Sequence, residues 1–185
     1  WRDAGLDRLE PRTEEMAANR IEPQVVDVTV RSTLIAPDGS AAFDVVYAYT
    51  VHSSGDVLID THITPAEDLP PLPRLGLQMT VPAGYETLTW YGRGPHESYV
   101  DRKAGAAVGL YSGAVDDQYV PYIVPQENGN KTDVRWASLT DADGGGLLVV
   151  ARPVMALSAH HYTTQDLTQA THTHELTRRE AITLN

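Results

Sequence analysis

Glu97 and Glu127 are the two carboxylates that first suggest chemistry, each set in a stretch dense in Gly, Pro, Asn and Tyr. A pair of carboxylates can hydrolyse a glycosidic bond, one as acid and the other as nucleophile or base, when they stand about 5–9 Å apart. The same two side chains could instead pin their loops, accepting backbone N–H or arginine hydrogen bonds, with Arg93, Arg102 and Arg135 as available donors. Arg93, Asp101 and Arg102 could hold a partner domain or form an internal ion-pair network, and the internal network is the expectation.

The histidines offer a second possibility. His172 and His174 fall on one face if their segment is a strand. With His160 or His161 they could supply imidazole ligands to zinc, but no carboxylate or thiolate partner follows them at a ligand spacing, so no metal site is expected. Trp90, Tyr91, Tyr99, Tyr119 and Tyr122 could stack on sugar rings. Aromatic side chains in a long loop more often build the loop's own small core. Gly92-Arg93-Gly94-Pro95 is no dinucleotide fingerprint, because Pro95 and the lack of a following helix exclude it. Asn130-Lys131-Thr132 has the pattern of an N-glycosylation acceptor. Ser112, Ser138 and Ser158 lack the context of a nucleophile elbow.

Composition narrows the classes further. The 185 residues suffice for one domain with a full core. The net charge of −11 repels phosphate backbones and anionic membrane faces, so neither nucleic acid nor membrane is an expected partner. Cysteine is absent, which rules out disulfides, thiolate zinc sites and a cysteine nucleophile. No apolar run reaches the ~20 residues of a membrane span. The start, Trp1 to Leu6, is no signal peptide. Trp1 without an initiator Met, and a last strand halted at Asn185, suggest a piece of a longer protein.

The elements that must position these residues are strands. Val26, Val28 and Val30 alternate with Asp27, Thr29 and Arg31, the period of a half-buried strand over residues 24–35. Pro37-Asp38-Gly39-Ser40 reads as a turn into a second strand, where Phe43, Val45, Tyr47, Tyr49 and Val51 share a face. Ser53-Ser54-Gly55 turns again, and Val57 to Thr64 completes a three-stranded antiparallel meander, with residues 1–23 as a lead-in. Four prolines between Pro65 and Pro73 form a connection, since proline has no N–H for a ladder. Strands are expected over 74–81 and 85–91. Residues 92–133 show no sustained period and read as one long loop, a length that marks a functional or interface segment. Strands resume over 134–139, 147–151, 157–162 and 180–184, with a short helix near 163–170 capped by a threonine and carrying Asp166 in its first turn. Many short strands between turns argue an all-β fold, a single antiparallel β-sandwich domain over residues 1–185.

Three blocks carry a family resemblance. Thr89-Trp90-Tyr91-Gly92-Arg93-Gly94-Pro95-His96-Glu97-Ser98-Tyr99 is followed by Asp101-Arg102-Lys103. Next comes Tyr119-Val120-Pro121-Tyr122-Ile123-Val124-Pro125-Gln126-Glu127-Asn128-Gly129, and then Ala170-Thr171-His172-Thr173-His174-Glu175-Leu176. In this order they resemble the C-terminal "small chain" domain of glycoside hydrolase family 2 β-galactosidases. The resemblance implies a large galactose-mutarotase-like supersandwich, truncated at its C-terminal end. It implies a parent that hydrolyses terminal β-galactosides such as lactose with retention, with both catalytic carboxylates in a separate TIM-barrel domain. No catalytic residue is therefore expected in this chain, and Glu97 and Glu127 are expected to tie down loops.

The same resemblance makes Arg93, His96, Glu97, Tyr99, Glu127, Asn128 and His172 candidates to face sugar or a neighbouring domain. It implies Mg and Na or K at sites outside the chain, a homo-oligomeric parent and a cytoplasmic location. The family's pattern continues past the position of Asn185 into an Asp-Asp-Ser-Trp segment whose Trp is a sugar platform. Two other readings remain open: a free-standing sugar mutarotase or epimerase, with His96 or His172 as acid and Glu127 as base, and a carbohydrate-binding module without chemistry.

Overall fold

The computed structural model describes residues 1–72 and 74–185. Pro73, the last proline of the expected connection, lies outside the described residues. The chain divides into two compact units, Trp1–Leu75 and Gly76–Asn185.

The first unit is a four-stranded antiparallel meander, β1 (Glu10–Glu22), β2 (Val25–Ile35), β3 (Ala41–His52) and β4 (Val57–Pro65), in that order. Three of these strands lie where the period of two placed them. Val28 pairs with Tyr49 and Val30 with Tyr47, as the alternation requires. At the β2–β3 turn Asp38 accepts hydrogen bonds from the Ser40 N–H (2.9 Å) and hydroxyl (2.6 Å), and Gly39 takes φ +86°. Phe43 and Val45 are buried with Ala36 and Ala42, and Leu6, Leu9, Leu34 and Ile63 pack on them.

β1 is a departure from the sequence reading, which treated residues 1–23 as a lead-in. Its sequence, Glu-Pro-Arg-Thr-Glu-Glu-Met-Ala-Ala-Asn-Arg-Ile-Glu, has no apolar face and stays exposed along nearly its whole length. Pairing with β2 supplies the ladder that its side chains do not advertise. Such a charged strand also blunts a sheet edge against unwanted pairing.

The second unit has two antiparallel sheets. One contains β6 (Thr87–Gly94), β7 (Ala107–Ala114), β8 (Lys131–Thr140) and β9 (Gly146–Leu157), in the order β7-β6-β8-β9. The other contains β5 (Met79–Val81), β10 (Ala159–His160) and β11 (Ile182–Leu184), in the order β10-β11-β5. Leu88, Trp90, Val134 and Leu139 of the first sheet meet Val81, Ala159, Ile182 and Leu184 of the second in one buried cluster. Each fully buried aliphatic side chain of this kind contributes roughly 1.5–3 kcal/mol. Neither sheet closes into a barrel, and the all-β antiparallel fold expected from the sequence is the one observed.

Several boundaries differ from expectation. The strand expected over 74–81 is confined to Met79–Val81, and the last one to Ile182–Leu184. The expected long loop 92–133 is interrupted by β7, which pairs with β6 along its whole length. β7 escaped the period-two reading because its inward positions are Gly109, Tyr111 and Gly113, while Val108 and Leu110 point outward. On the neighbouring β6, Gly92 and Gly94 are required by close packing. A Cβ on Gly94 would lie 2.7 Å from the Tyr111 ring, and one on Gly92 2.8 Å from the Val134 backbone. The short helix α1 (Thr164–Gln169) is where it was expected. Thr163 and Asp166 cap it reciprocally, each side chain accepting from the other's backbone N–H.

Candidate functional site

Two segments of the second unit hold most of the candidate residues: 95–106, between β6 and β7, and 115–130, between β7 and β8. They are sewn together at Ser98. Its N–H donates to the Asn130 carbonyl (2.7 Å), its carbonyl accepts from the Asn130 amide (2.8 Å), and its hydroxyl accepts from the Thr132 N–H (3.0 Å). These groups are buried, so each satisfied polar atom avoids a desolvation cost of about 1–3 kcal/mol. The Asn130 amide faces Ser98 and is buried, so the acceptor pattern at Asn130-Lys131-Thr132 offers no exposed amide for glycosylation.

Glu97 is the hub of this junction. It is 8 % exposed. Oε1 accepts from Arg102 (2.7 Å) and from the Tyr122 hydroxyl, and Oε2 accepts from the Gly129 N–H (2.8 Å). Burial alone would raise the Glu97 carboxyl. The hydrogen bonds from Tyr122, Arg102 and Gly129 outweigh it and hold the group below the ordinary glutamate value. The Arg102 guanidinium also lies 4.5 Å from the centre of the Tyr99 ring. Burial, followed by the nearby charges of Glu97 and Glu127, pushes the Tyr99 phenol well above its ordinary value.

A second network lies on β6 and β8. Arg93 donates to the Asp133 carboxylate and to the carbonyls of Lys103 (3.1 Å) and Ala106 (2.8 Å), while Lys103 Nζ reaches Asp133 at 3.1 Å. Arg93 thus lies in an internal ion-pair network, but its acid is Asp133 rather than the expected Asp101, and Arg102 pairs separately with Glu97. Asp133 adopts φ +53°, which aspartate tolerates better than most residues, and no spacing pattern announced it. Lys131 was also missed. It is buried, donates to the Pro95 carbonyl (3.1 Å) and stands 4.9 Å from the centre of the Trp90 ring. Burial pushes its ammonium down to about 8.

The remaining candidates fall into different environments. Asn128 is buried and committed: its side chain accepts from the Val120 N–H (2.9 Å) and donates to the Gln126 carbonyl (2.9 Å). His96 and Glu127 are exposed. His172 is exposed at the far end of the unit's sequence, beside the 3₁₀ turn Thr173–Glu175, so His172 and His174 do not share a strand face. His172 Nδ1 lies 3.2 Å from Glu175 Oε1, and the His172 and His174 rings are 5.4 Å apart. His160 is buried elsewhere, its Nε2 2.8 Å from the Asn128 carbonyl, and His161 Nε2 is 2.8 Å from Glu86 Oε2. Among the described residues no group of three or more His, Asp or Glu side chains gathers as a metal-ligand set.

An open cleft of about 490 Å³ borders α1, lined by Asp166, Gln169, Ala170, Glu175, Leu176 and Arg179 among others. Arg179 grips Asp166 with two hydrogen bonds of 2.6 and 2.8 Å. Glu175 accepts hydrogen bonds from Thr171 and His172, which hold its carboxyl well below the ordinary value.

Comparison with known proteins gives these features a family context. The model of the β-galactosidase small chain matches residues 1–185. A β-galactosidase of Priestia megaterium is 39 % identical over 184 residues, covering 100 % of this chain and 17 % of the relative. One from Photobacterium profundum is 32 % identical, again over 100 % of this chain and 17 % of its own length. A β-galactosidase of Bifidobacterium adolescentis is 37 % identical over 86 % of this chain and 15 % of its own length. The chain thus spans about one sixth of the curated relatives it matches.

Proposed function

This chain belongs to the β-galactosidase small-chain family, and on that premise we propose that it is a C-terminal accessory domain of a β-galactosidase. The parent is a glycosidase that hydrolyses terminal β-D-galactosides such as lactose with retention, in the cytoplasm. Its catalytic carboxylates and its Mg and Na or K sites lie in other parts of the polypeptide, the carboxylates in a TIM-barrel domain, and the parent assembles as a homo-oligomer. The chain contributes by shaping the sugar site. No helix among the described residues is long and apolar enough to cross a membrane.

The observation that carries the non-catalytic reading is the environment of Glu97. A retaining glycosidase needs one carboxylate free to attack and another raised in pKa to deliver a proton. Glu97 is neither. Three donors occupy it, and they lower rather than raise its carboxyl. Its role is to fix the segment that presents His96 and Tyr99, with Arg93 and Asn128 holding the flanks. Of the candidates, His96, Glu127 and His172 are exposed, and these are the ones proposed to face sugar or a neighbouring domain.

Hydrolysis of a chromogenic β-galactoside tests this. The expected result is activity from the whole polypeptide that contains this chain, none from the chain alone, and recovery when the chain is added to the remainder. Activity from the chain alone would overturn the placement of the carboxylates. The alternative reading is a mutarotase with His96 or His172 as acid and Glu127 as base. Catalysed mutarotation of galactose by the chain, followed by polarimetry, would favour it.

A further inference from the structure

The outer face of the four-stranded sheet is apolar where water-facing residues are expected. Register pairs Leu110 of β7 with Tyr91 of β6, Tyr91 with Trp136 of β8, and Trp136 with Val150 of β9. One row therefore crosses all four strands. Leu110 is 66 % exposed, Val150 64 %, Tyr91 41 %, and Trp136 is half-buried. Leu148, 61 % exposed, lies beside Val150 along β9, and Val108 beside Leu110 along β7, so the apolar patch is widest at the two edge strands. None of the six carries a charge, in a chain with 25 acidic residues. Contiguous apolar patches of this kind on soluble proteins mark an interface.

The composition says what kind of partner fits. Tyr and Trp at the centre, with charge absent, are the features of a protein interface core. Arg135 stands at the margin, 5.5 Å from the Tyr91 ring centre. Within the row the two aromatic rings are flanked by Leu110 and Val150, and in the neighbouring row Ser112–Thr89–Ser138 the hydroxyls of Thr89 and Ser112 are bonded to each other at 2.9 Å. A second acidic chain would carry its own −11 charge to the contact. The relatives carry about five sixths of their length outside the region matched here, which is ample chain to cover the face.

We propose that the row Leu110–Tyr91–Trp136–Val150 is the surface on which an apolar face of another domain of the same polypeptide docks. This rests on reading the chain as an accessory domain of a larger β-galactosidase. It adds which face of the unit is covered and what covers it.

Covalent footprinting of Tyr91 and Trp136 tests the proposal, comparing this chain with the whole polypeptide that contains it. Both residues are expected to be labelled in the chain and to lose that labelling in the whole polypeptide. The variants L110E and V150E are expected to leave the unfolding temperature of the chain unchanged, because both side chains are exposed there. In the whole polypeptide the same variants are expected to lower the unfolding temperature. Undiminished labelling in a polypeptide that hydrolyses β-galactosides would overturn the docking face and leave the functional reading intact. Protected residues in a polypeptide without that activity would overturn the functional reading and leave the docking face. Protection already present in the chain and lost on dilution would show that a second copy is the occupant, which also overturns the proposal.

Discussion

Glu97 accepts a hydrogen bond of 2.8 Å from the backbone N–H of Gly129, and this contact joins the two segments of the candidate site. Arg102 and Tyr122 converge on the same carboxylate. Glu97→Gln keeps the shape but brings an NH₂ group to face donors. It is expected to cost about 2 kcal/mol, as for hydrogen bonds to a charged group. Urea unfolding at pH 7 measures it, and an unchanged midpoint would show the hub to be idle. The native carboxyl is lowered, so its stabilising effect is present above the unfolded-state glutamate value and is lost as pH falls through the native one. The gap between wild type and Glu97→Gln should therefore narrow in acid.

Lys131 gives a pH dependence of the same sign in the alkaline range. Its ammonium titrates at about 8 in the folded chain, below its ordinary 10.5, because burial penalises the charge. Between these values the unfolded state binds more protons, so this group makes stability rise with pH. Lys131→Met removes the rise. Denaturant unfolding of both proteins at pH 8 and pH 10 should show the variant gaining less over that interval, and parallel behaviour would contradict the buried, deprotonating amine.

Gly129 and Gly39 separate crowding from backbone strain. Both have positive φ. A Cβ at Gly129 would lie 2.4 Å from the Gln118 carbonyl oxygen and 2.7 Å from the His160 ring, whereas nothing lies within 4 Å at Gly39. Gly39→Ala should cost about 1–2 kcal/mol from the left-handed conformation alone. Gly129→Ala adds overpacking and should cost roughly 2–5 kcal/mol. Equal losses in thermal unfolding would rule out the tight contact.

Asp133 holds both Arg93 and Lys103, which lower its carboxyl. Asp133→Asn should destabilise by about 1–3 kcal/mol at pH 7. The effect should shrink as pH falls below the unfolded aspartate value of about 3.9, where the native group loses its advantage. A guanidinium titration repeated at pH 7 and at about pH 2.5 would reveal this, and a loss that did not depend on pH would point to packing instead.

The sequence by itself determined the all-β class, the β2–β4 meander, the cap at Thr163 and the family. These features are local: a period of two, a turn glycine and short motifs each leave their mark within a few residues. Tertiary structure alone decided that residues 10–22 and 107–114 are strands. β1 carries charge on both faces, and β7 places glycines where apolar residues were sought, because the Tyr111 ring and its neighbours fill the space a side chain would take. It also decided the roles of the charged residues. Whether Glu97 is free or tied depends on Arg102, Tyr122 and Gly129 arriving at one point from separate turns of the chain. Asp133 found Arg93 only because β6 and β8 lie side by side in the same sheet.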